Sequence, residues 1–222
     1  MSKVSICIPT CDFPENGTNY NNVTMLSDLL QSIRMQTFTD YEVIVSDQST
    51  DDRIERLCEI FEIKYFKNNG SNGAENINNA INHADSEYIK TMWSDDFLIK
   101  PSSLGIMVDR LGCNDWVSSA TYHCNESDTR NLFYLFKPSI KEWLPYRNYL
   151  GSPSNVLFRK SELRFDEKLS LYNDCEFYYR LWKKFGNPIL INEPLIVTRN
   201  RETSERNTGS FDKELIYCRT LV

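Results

Sequence analysis

The stretch YIKTMWSDD (residues 88–96) joins a short β-prone run to two adjacent carboxylates. Its first part has the length and apolar character of a buried strand. Asp95 and Asp96 then place two like charges side by side, which is costly unless a cation shares them. Mg²⁺ or Mn²⁺ would relieve this repulsion and could also hold the phosphates of a ligand. Taken alone, the stretch favours a plainer interpretation, in which Ser94, Asp95 and Asp96 open a loop or cap a helix.

Three strand–helix units precede this stretch. Strands are predicted at 4–8, 41–46 and 63–66, and amphipathic helices at 23–33, 54–61 and 74–84. This alternation is typical of a mostly parallel sheet with helices on both faces. Ligands of such sheets bind beyond the carboxyl ends of the strands. We therefore expect one edge of the sheet to collect the polar residues that follow Ile8, Ser46, Phe66 and Trp93.

The pattern is less regular beyond Pro101. Strands are predicted at 115–122, 132–136, 155–158 and 189–191, and helices at 104–111, near Trp143, at 174–186 and at 212–221. A polar loop is expected at 199–209. The chain has no internal repeats, low-complexity tracts or linkers, so we expect a single domain over residues 1–222 with two functional halves, 1–112 and 113–222.

Composition excludes several classes of protein. The net charge of −6 argues against binding to nucleic acid, which requires a concentrated basic surface. The seven cysteines are odd in number, scattered and never spaced as CxxC, which indicates buried thiols in a reducing compartment. With only two histidines, a histidine-built metal centre is disfavoured. The sequence shows neither a signal peptide nor a membrane span, so a cytoplasmic protein is expected.

Several motifs together resemble the GT-A glycosyltransferases of family 2. The first strand and Pro9-Thr10 are similar to the opening strand of that family. Residues 36–51 (QTFTDYEVIVSDQSTD) resemble its QTF-x-x-aromatic-E signature, which ends in D-x-S-x-D. Residues 69–89 resemble its NxG…AxN…A…YI pattern. The motifs occur in the family's order and spacing over the first half of the chain. The second half is similar more loosely, through Gly151-Ser152-Pro153-Ser154 and the acid-headed helix at Asp174.

The resemblance implies the fold and the chemistry. The expected fold is α/β of the GT-A, Rossmann-like type: a mostly parallel sheet flanked by helices, with a mixed acceptor-side half. The expected activity is inverting transfer of a sugar from a nucleotide diphosphate-sugar to a hydroxyl of a glycan or lipid-linked acceptor. A UDP-sugar is the first candidate for the donor. Cell-surface glycan synthesis is the implied setting, with peripheral contact at the inner face of a membrane allowed.

The resemblance also assigns residues to roles. Ser94-Asp95-Asp96 occupies the position of the DxD motif, and Asp96 is the implied ligand of Mn²⁺ or Mg²⁺. Gln48 stands where relatives often carry a second acid, and its amide can also hydrogen-bond a base edge. The implied contacts to the nucleotide-sugar come from Pro9, Thr10, Asp12, Asp47, Gln48, Asn76, Ser94 and Asp95.

Asp174 corresponds to the family's catalytic base, which takes the proton of the acceptor hydroxyl. An aspartate at the start of a helix is also a favoured N-cap, so that alternative stays open. Glu176 is the second candidate for the base.

Other polar and aromatic residues have plainer explanations. Lys90 is expected to be solvated. Trp143, Tyr146 and Tyr149 could stack on sugar rings, although core or lid packing is commoner. Arg199, Arg201 and Arg206 could close over a diphosphate, although a solvated loop is the simpler expectation.

Two other functions compete. A nucleotidyltransferase has a similar sheet, but it usually carries a glycine-rich, basic loop after the first strand, and residues 10–14 (TCDFP) lack one. A non-catalytic nucleotide-sugar-binding module is the other alternative. A dinucleotide-dependent oxidoreductase is disfavoured, since no GxGxxG follows a strand.

Overall fold

The computed structural model describes residues 2–11, 22–125, 128–200 and 211–222. Strands and helices alternate through the first half, as predicted. In order these are β1 (Val4–Thr10), α1 (Asn22–Arg34), β2 (Tyr41–Asp47), α2 (Arg53–Phe61), β3 (Lys64–Lys67), α3 (Gly73–Asn82) and β4 (Tyr88–Thr91).

The second half contributes more strand than helix. Its elements are β5 (Phe97–Leu98), α4 (Ser103–Leu111), β6 (Trp116–Asn125), β7 (Asp128–Phe136), β8 (Val156–Arg159), α5 (Asn173–Phe185), β9 (Ile189–Asn200) and α6 (Asp212–Arg219). A 3₁₀ turn, Pro153–Asn155, precedes β8. Among the described residues, every helix is too short or too polar to pass through a lipid bilayer.

The nine strands of the described residues belong to one sheet, in the order β3-β2-β1-β4-β8-β6-β9-β5, with β7 paired to β6. The four strands of the first half run parallel to one another. Beyond β4 the pairing is mixed, because β8 is antiparallel to both β4 and β6 whereas β9 is parallel to β6. The predicted architecture, a parallel half followed by a mixed half, is confirmed.

Two hydrophobic cores lie on opposite faces of the sheet. Successive side chains of a strand point to opposite faces, so Ile6 and Ile8 of β1 join one core and Cys7 joins the other. Helices α1, α2 and α4 cover the first core, and α3 and α5 cover the second. Burying each large aliphatic side chain contributes about 1.5–3 kcal/mol, which is enough to hold the strands in register while their carboxyl ends stay polar.

Two local predictions for the second half are wrong. No helix forms near Trp143, because Pro138 and Pro145 interrupt the segment. The Trp143 ring instead stacks on Trp182, with 5.7 Å between ring centroids, which is the packing role expected for this aromatic cluster. The last strand is also longer than the predicted 189–191, since its pairing with β6 continues to Asn200.

Candidate active site

The carboxyl ends of the parallel strands gather polar residues at one edge, as predicted. Thr10, the last residue of β1, pairs in register with Asp47, the last residue of β2, and Pro9 pairs with Ser46. The backbone N–H of Gln48 donates to the Thr10 carbonyl at 3.0 Å. The candidate acid turn, residues 93–96, follows β4 on the other side of β1.

Thr10, at the end of β1, has a buried hydroxyl that is unsatisfied. Thr10 is only 3% exposed, and its Oγ1 has no hydrogen-bond partner among the described residues. A buried hydroxyl without a partner costs about 1–3 kcal/mol. A ligand at this edge would supply the missing partner. Asp12, the neighbouring candidate, lies outside the described residues.

The side chains of Asp47 and Asn76 both form hydrogen bonds within the protein. The fully buried Asp47 carboxylate accepts hydrogen bonds from the Ser49 N–H at 2.8 Å and the Tyr65 hydroxyl at 3.0 Å. Asn76 is 2% exposed, donates to the Thr10 carbonyl at 2.8 Å and accepts from the Ser46 hydroxyl at 2.6 Å. These contacts hold the ends of β1 and β2 in place. The predicted contacts of Asp47 and Asn76 with a nucleotide-sugar stay predictions.

The acid turn is tight and buried. The Asp96 N–H donates to the Trp93 carbonyl at 3.0 Å, and Ser94 and Asp96 are 7% and 1% exposed. The Ser152 hydroxyl donates to Asp96 Oδ2 at 2.9 Å. Burial, followed by the charge of Asp95, raises the pKa of Asp96 to about 7. The site therefore concentrates negative charge in a place where water stabilises it poorly.

Lys90 is buried, and the prediction that it is solvated is wrong. It is 1% exposed because β4 lies between β1 and β8, with packed elements on both faces. Its ammonium donates to the carbonyls of Thr91 at 3.1 Å and Val156 at 3.4 Å, and also to that of Ser154. Burial lowers the pKa of Lys90 to about 7, partly offset by the charge of Asp96.

Asp174 lies in the first turn of α5 and is 5% exposed. Its Oδ1 accepts from the Cys175 N–H at 2.6 Å, and its Oδ2 accepts from Asn148 Nδ2 at 2.6 Å. The same Asn148 amide donates to the Gly151 carbonyl at 2.9 Å. Since Ser152 holds Asp96, one loop spanning residues 148–152 connects the two candidate carboxylates. The sequence prediction that both acids belong to one catalytic site stays a prediction.

The alternatives for Asp174 can now be compared. The N-cap of α5 is Tyr172, so Asp174 lies inside the helix rather than capping it. Glu176 is 3% exposed and pairs with Arg180 through both carboxylate oxygens, at 2.5 and 2.6 Å. An acid fixed in such a bidentate pair is poorly suited to take a proton. The geometry therefore favours Asp174 over Glu176.

Arg199 lies closer to the acid turn than the sequence predicted. The expected solvated loop is wrong at this residue, which is the penultimate residue of β9 and is 5% exposed. Its guanidinium donates to the Asp95 carbonyl at 3.2 Å and pairs with Asp28 at 2.6 Å. No sequence signal reveals this contact, because Asp95 and Arg199 are 104 positions apart. Arg201 and Arg206 lie outside the described residues.

The acid turn suits a hard divalent cation. Within the described residues, no group of three or more His, Cys, Asp or Glu side chains could enclose a metal ion. Mg²⁺ and Mn²⁺ do not need such a cage, since one or two carboxylates together with water and substrate phosphates complete their shell. Asp95, which is half-buried, and Asp96, which is buried, would supply those oxygens, and a cation would offset their negative charge.

A known protein is similar to this chain in sequence. The chain is 32% identical over 108 residues to a Campylobacter jejuni GalNAc(5)-diNAcBac-PP-undecaprenol beta-1,3-glucosyltransferase, covering 45% of this chain and 31% of that protein. It thus spans less than a third of that relative's length.

Two solved structures are similar over most of the chain. Staphylococcus aureus TarS in complex with UDP-GlcNAc has a TM-score of 0.65 at 19% identity, covering 97% of this chain and 63% of that one. The mannosyltransferase PcManGT from Pyrobaculum calidifontis, with GDP-Man and Mn²⁺, has a TM-score of 0.65 at 18% identity, covering 93% and 59%. At these identities the likeness shows the fold, which is that of the GT-A glycosyltransferases.

The family model of glycosyl transferase family 2 matches residues 18–164, about two thirds of the chain. This range contains the second-strand signature, the acid turn and the loop that joins the acid turn to Asp174. The chain belongs to glycosyl transferase family 2.

Proposed function

We propose that this protein transfers a sugar from a nucleotide diphosphate-sugar, with a UDP-sugar as the first candidate, to a hydroxyl group of a glycan or lipid-linked acceptor, with inversion at the anomeric carbon. The observation that carries the proposal is the 148–152 loop, which hydrogen-bonds Asp96 through Ser152 and Asp174 through Asn148. A single-displacement transfer needs a group that stabilises the leaving diphosphate and a base that takes the proton of the acceptor. This loop holds a candidate for each role.

In this mechanism Asp174 is the general base. The acceptor hydroxyl gives its proton to Asp174 as its oxygen attacks the anomeric carbon, and the bond from that carbon to the diphosphate breaks on the opposite face. Asn148 and the Cys175 N–H hold the carboxylate in one orientation while the proton moves. The attack from one face and departure from the other give the inverted product.

The donor is assigned to the first half of the chain, residues 1–112. Pro9, Thr10, Gln48 and Ser94 lie at the strand ends where a nucleotide would bind, and Asp47 and Asn76 hold those ends in place. Asp95 and Asp96 would hold Mn²⁺ or Mg²⁺, which supplies charge neutralisation to the departing diphosphate when bound. The Mn²⁺ and GDP-Man in the PcManGT structure support this assignment by analogy.

The acceptor is assigned to the second half, residues 113–222. The Campylobacter relative is named for an undecaprenol-linked substrate. By analogy we propose a lipid-linked acceptor in cell-surface glycan synthesis, and a cytoplasmic protein that contacts the inner face of the membrane.

A donor panel tests the proposal. The protein is incubated with UDP-, GDP- and dTDP-sugars, with Mn²⁺, Mg²⁺ or EDTA, and released nucleotide diphosphate is measured. We expect release from one donor, suppressed by EDTA and increased by a suitable lipid-linked acceptor. Pyrophosphate chemistry with a nucleoside triphosphate would instead identify a nucleotidyltransferase. Tight donor binding without release, with every acceptor tried, would identify a binding module.

A further inference from the structure

Three successive backbone N–H groups just before α5 converge on one carboxylate from a distant helix. Ser170 donates to Glu214 Oε1 at 3.0 Å, and Leu171 and Tyr172 donate to Glu214 Oε2 at 3.0 and 3.3 Å. Glu214 belongs to α6, 42–44 positions further along the chain.

This arrangement is an anion-binding nest filled by the protein itself. Consecutive N–H groups that point into one concavity bind anions well, and hydrogen bonds to a carboxylate are stronger than those between neutral groups. The first N–H groups of a helix lack intrahelical partners, and Tyr172, the N-cap of α5, makes no side-chain capping bond within the described residues. Glu214 therefore holds the backbone that leads into α5, up to the N-cap residue Tyr172, and its charge also suits the positive end of the helix dipole.

The residues that donate to Glu214 lead directly to the proposed base. Asp174 follows Tyr172 by two positions, and its Oδ1 accepts from the next N–H of the same turn, at Cys175. The direction of the Asp174 carboxylate thus depends on where the first turn of α5 begins. We propose that Glu214 is a positioning residue for Asp174, which fixes the start of α5 so that the carboxylate faces the acceptor hydroxyl. This inference rests on the proposed function.

Glu214 could instead serve only to attach α6 to the rest of the protein. That helix buries one side chain, Cys218, and is also held by the Tyr217 hydroxyl, which donates to Asp166 Oδ2 at 2.6 Å. Tyr217 therefore offers a matched control. Tyr217→Phe weakens the attachment of α6 without removing any acceptor from the nest.

The test compares wild type, Glu214→Ala, Glu214→Gln and Tyr217→Phe. For each we measure amide hydrogen exchange at residues 170–172, donor affinity by calorimetry, and kcat and KM with the best donor and acceptor. For Glu214→Ala we expect faster exchange at these three amides, donor affinity within about twofold of wild type, and a kcat lower by about 10- to 100-fold, since small misplacements of reacting groups are costly. Glu214→Gln keeps an acceptor oxygen and is expected to recover part of kcat. Tyr217→Phe is expected to keep kcat within about twofold.

Two results would overturn the positioning role. One is unchanged exchange or unchanged kcat in Glu214→Ala, and the other is an equal fall of kcat in Tyr217→Phe. The two proposals can be separated, because amide exchange is measured without substrate. If wild type transfers sugar from none of the donors, the proposed function is overturned. If wild type transfers sugar normally and Glu214→Ala is unaffected, the positioning role alone is overturned.

Discussion

Asp174 and Glu176 lie two positions apart in the same helical turn, yet they have different partners. Asp174 accepts hydrogen bonds from the Asn148 side-chain amide and from the Cys175 backbone N–H. Glu176 is held by the Arg180 guanidinium through both of its oxygens. Proton uptake by Glu176 would break this ion pair, so Asp174 is the better candidate for the proposed base.

Asp174→Asn is expected to keep the affinity for the donor and to lower kcat by roughly 10²–10⁴-fold, because the amide keeps the shape of the side chain but cannot take a proton. Calorimetry with the donor and initial rates of transfer measure the two quantities. Glu176→Gln is the control, and it should lower the melting temperature with little effect on kcat. Near-normal transfer by Asp174→Asn would refute its role as base.

Asp96→Asn is expected to abolish binding of Mn²⁺ in the presence of the nucleotide diphosphate, since the amide oxygen cannot replace the charge of the buried carboxylate. Electron paramagnetic resonance of free Mn²⁺ gives the affinity without any need for turnover. Asp109→Asn, which changes an exposed acid of α4, is the control and should leave binding unaffected. Equal affinity in Asp96→Asn and wild type would place the metal elsewhere.

At the scale of elements, one short segment, residues 151–154, contacts both β4 and the acid turn. Ser152 holds Asp96, the Ser154 hydroxyl accepts from the Trp93 N–H at 2.8 Å, and the Pro153 carbonyl accepts from the Thr91 hydroxyl at 2.6 Å. The end of β4 and the acid turn are therefore both held by one short segment of the second half.

This segment turns sharply at Gly151, which has φ +84°. A Cβ there would clash with the Asn155 amide and lie 3.1 Å from a Phe136 ring carbon. Gly151→Ala is expected to cost about 1–3 kcal/mol of unfolding free energy and to lower transfer by misplacing Ser152 and Asn148.

Chemical denaturation and initial rates measure both effects of Gly151→Ala. Gly73→Ala is the control, because no atom lies within 4 Å of its added Cβ. That variant is expected to be neutral or slightly stabilising. Wild-type stability and activity in Gly151→Ala would show that the turn tolerates a side chain.

At the scale of the whole molecule, Glu42 holds together the amino ends of the parallel strands, opposite the candidate site. Its carboxylate accepts from Lys64 at 2.7 Å, from the Asp85 N–H at 3.0 Å and from the hydroxyls of Ser5 and Ser86 at 2.5 and 3.1 Å. These partners come from β1, β3 and the segment before β4, so one side chain joins the amino ends of the parallel strands.

Burial raises the pKa of Glu42, but the hydrogen bonds from Lys64, Ser5, Asp85 and Ser86 outweigh it and lower the pKa from 4.5 to about 2. A lowered folded-state pKa stabilises the protein above the unfolded value, and this stabilisation disappears as the pH falls from about 4.5 towards 2.

Glu42→Gln should therefore cost about 1–2 kcal/mol at pH 7, once screening by solvent is allowed for. The difference from wild type should shrink as the pH falls below 4.5, the ordinary pKa of the group. Urea unfolding at several pH values measures it, with the exposed Glu59→Gln as control. A difference independent of pH would mean that packing, not charge, explains the loss.

The sequence by itself determined the alternating elements, the parallel half of the sheet, the family and the polar edge with Asp95 and Asp96. These follow from local patterns, because the periodicity of apolar residues decides which face of each element is buried. The sequence also named Asp174, through a motif rather than through geometry.

Only the tertiary structure decided the partners of these groups. It separated Asp174 from Glu176, buried Lys90, brought Arg199 to the Asp95 carbonyl and joined Asp96 to Asp174 through one loop. The physical reason is distance along the chain: Arg199 and Asp95 are 104 positions apart, and Ser152 and Asp96 are 56 apart. A local pattern states which side chains turn inward, whereas the packing of the whole sheet decides which of them meet.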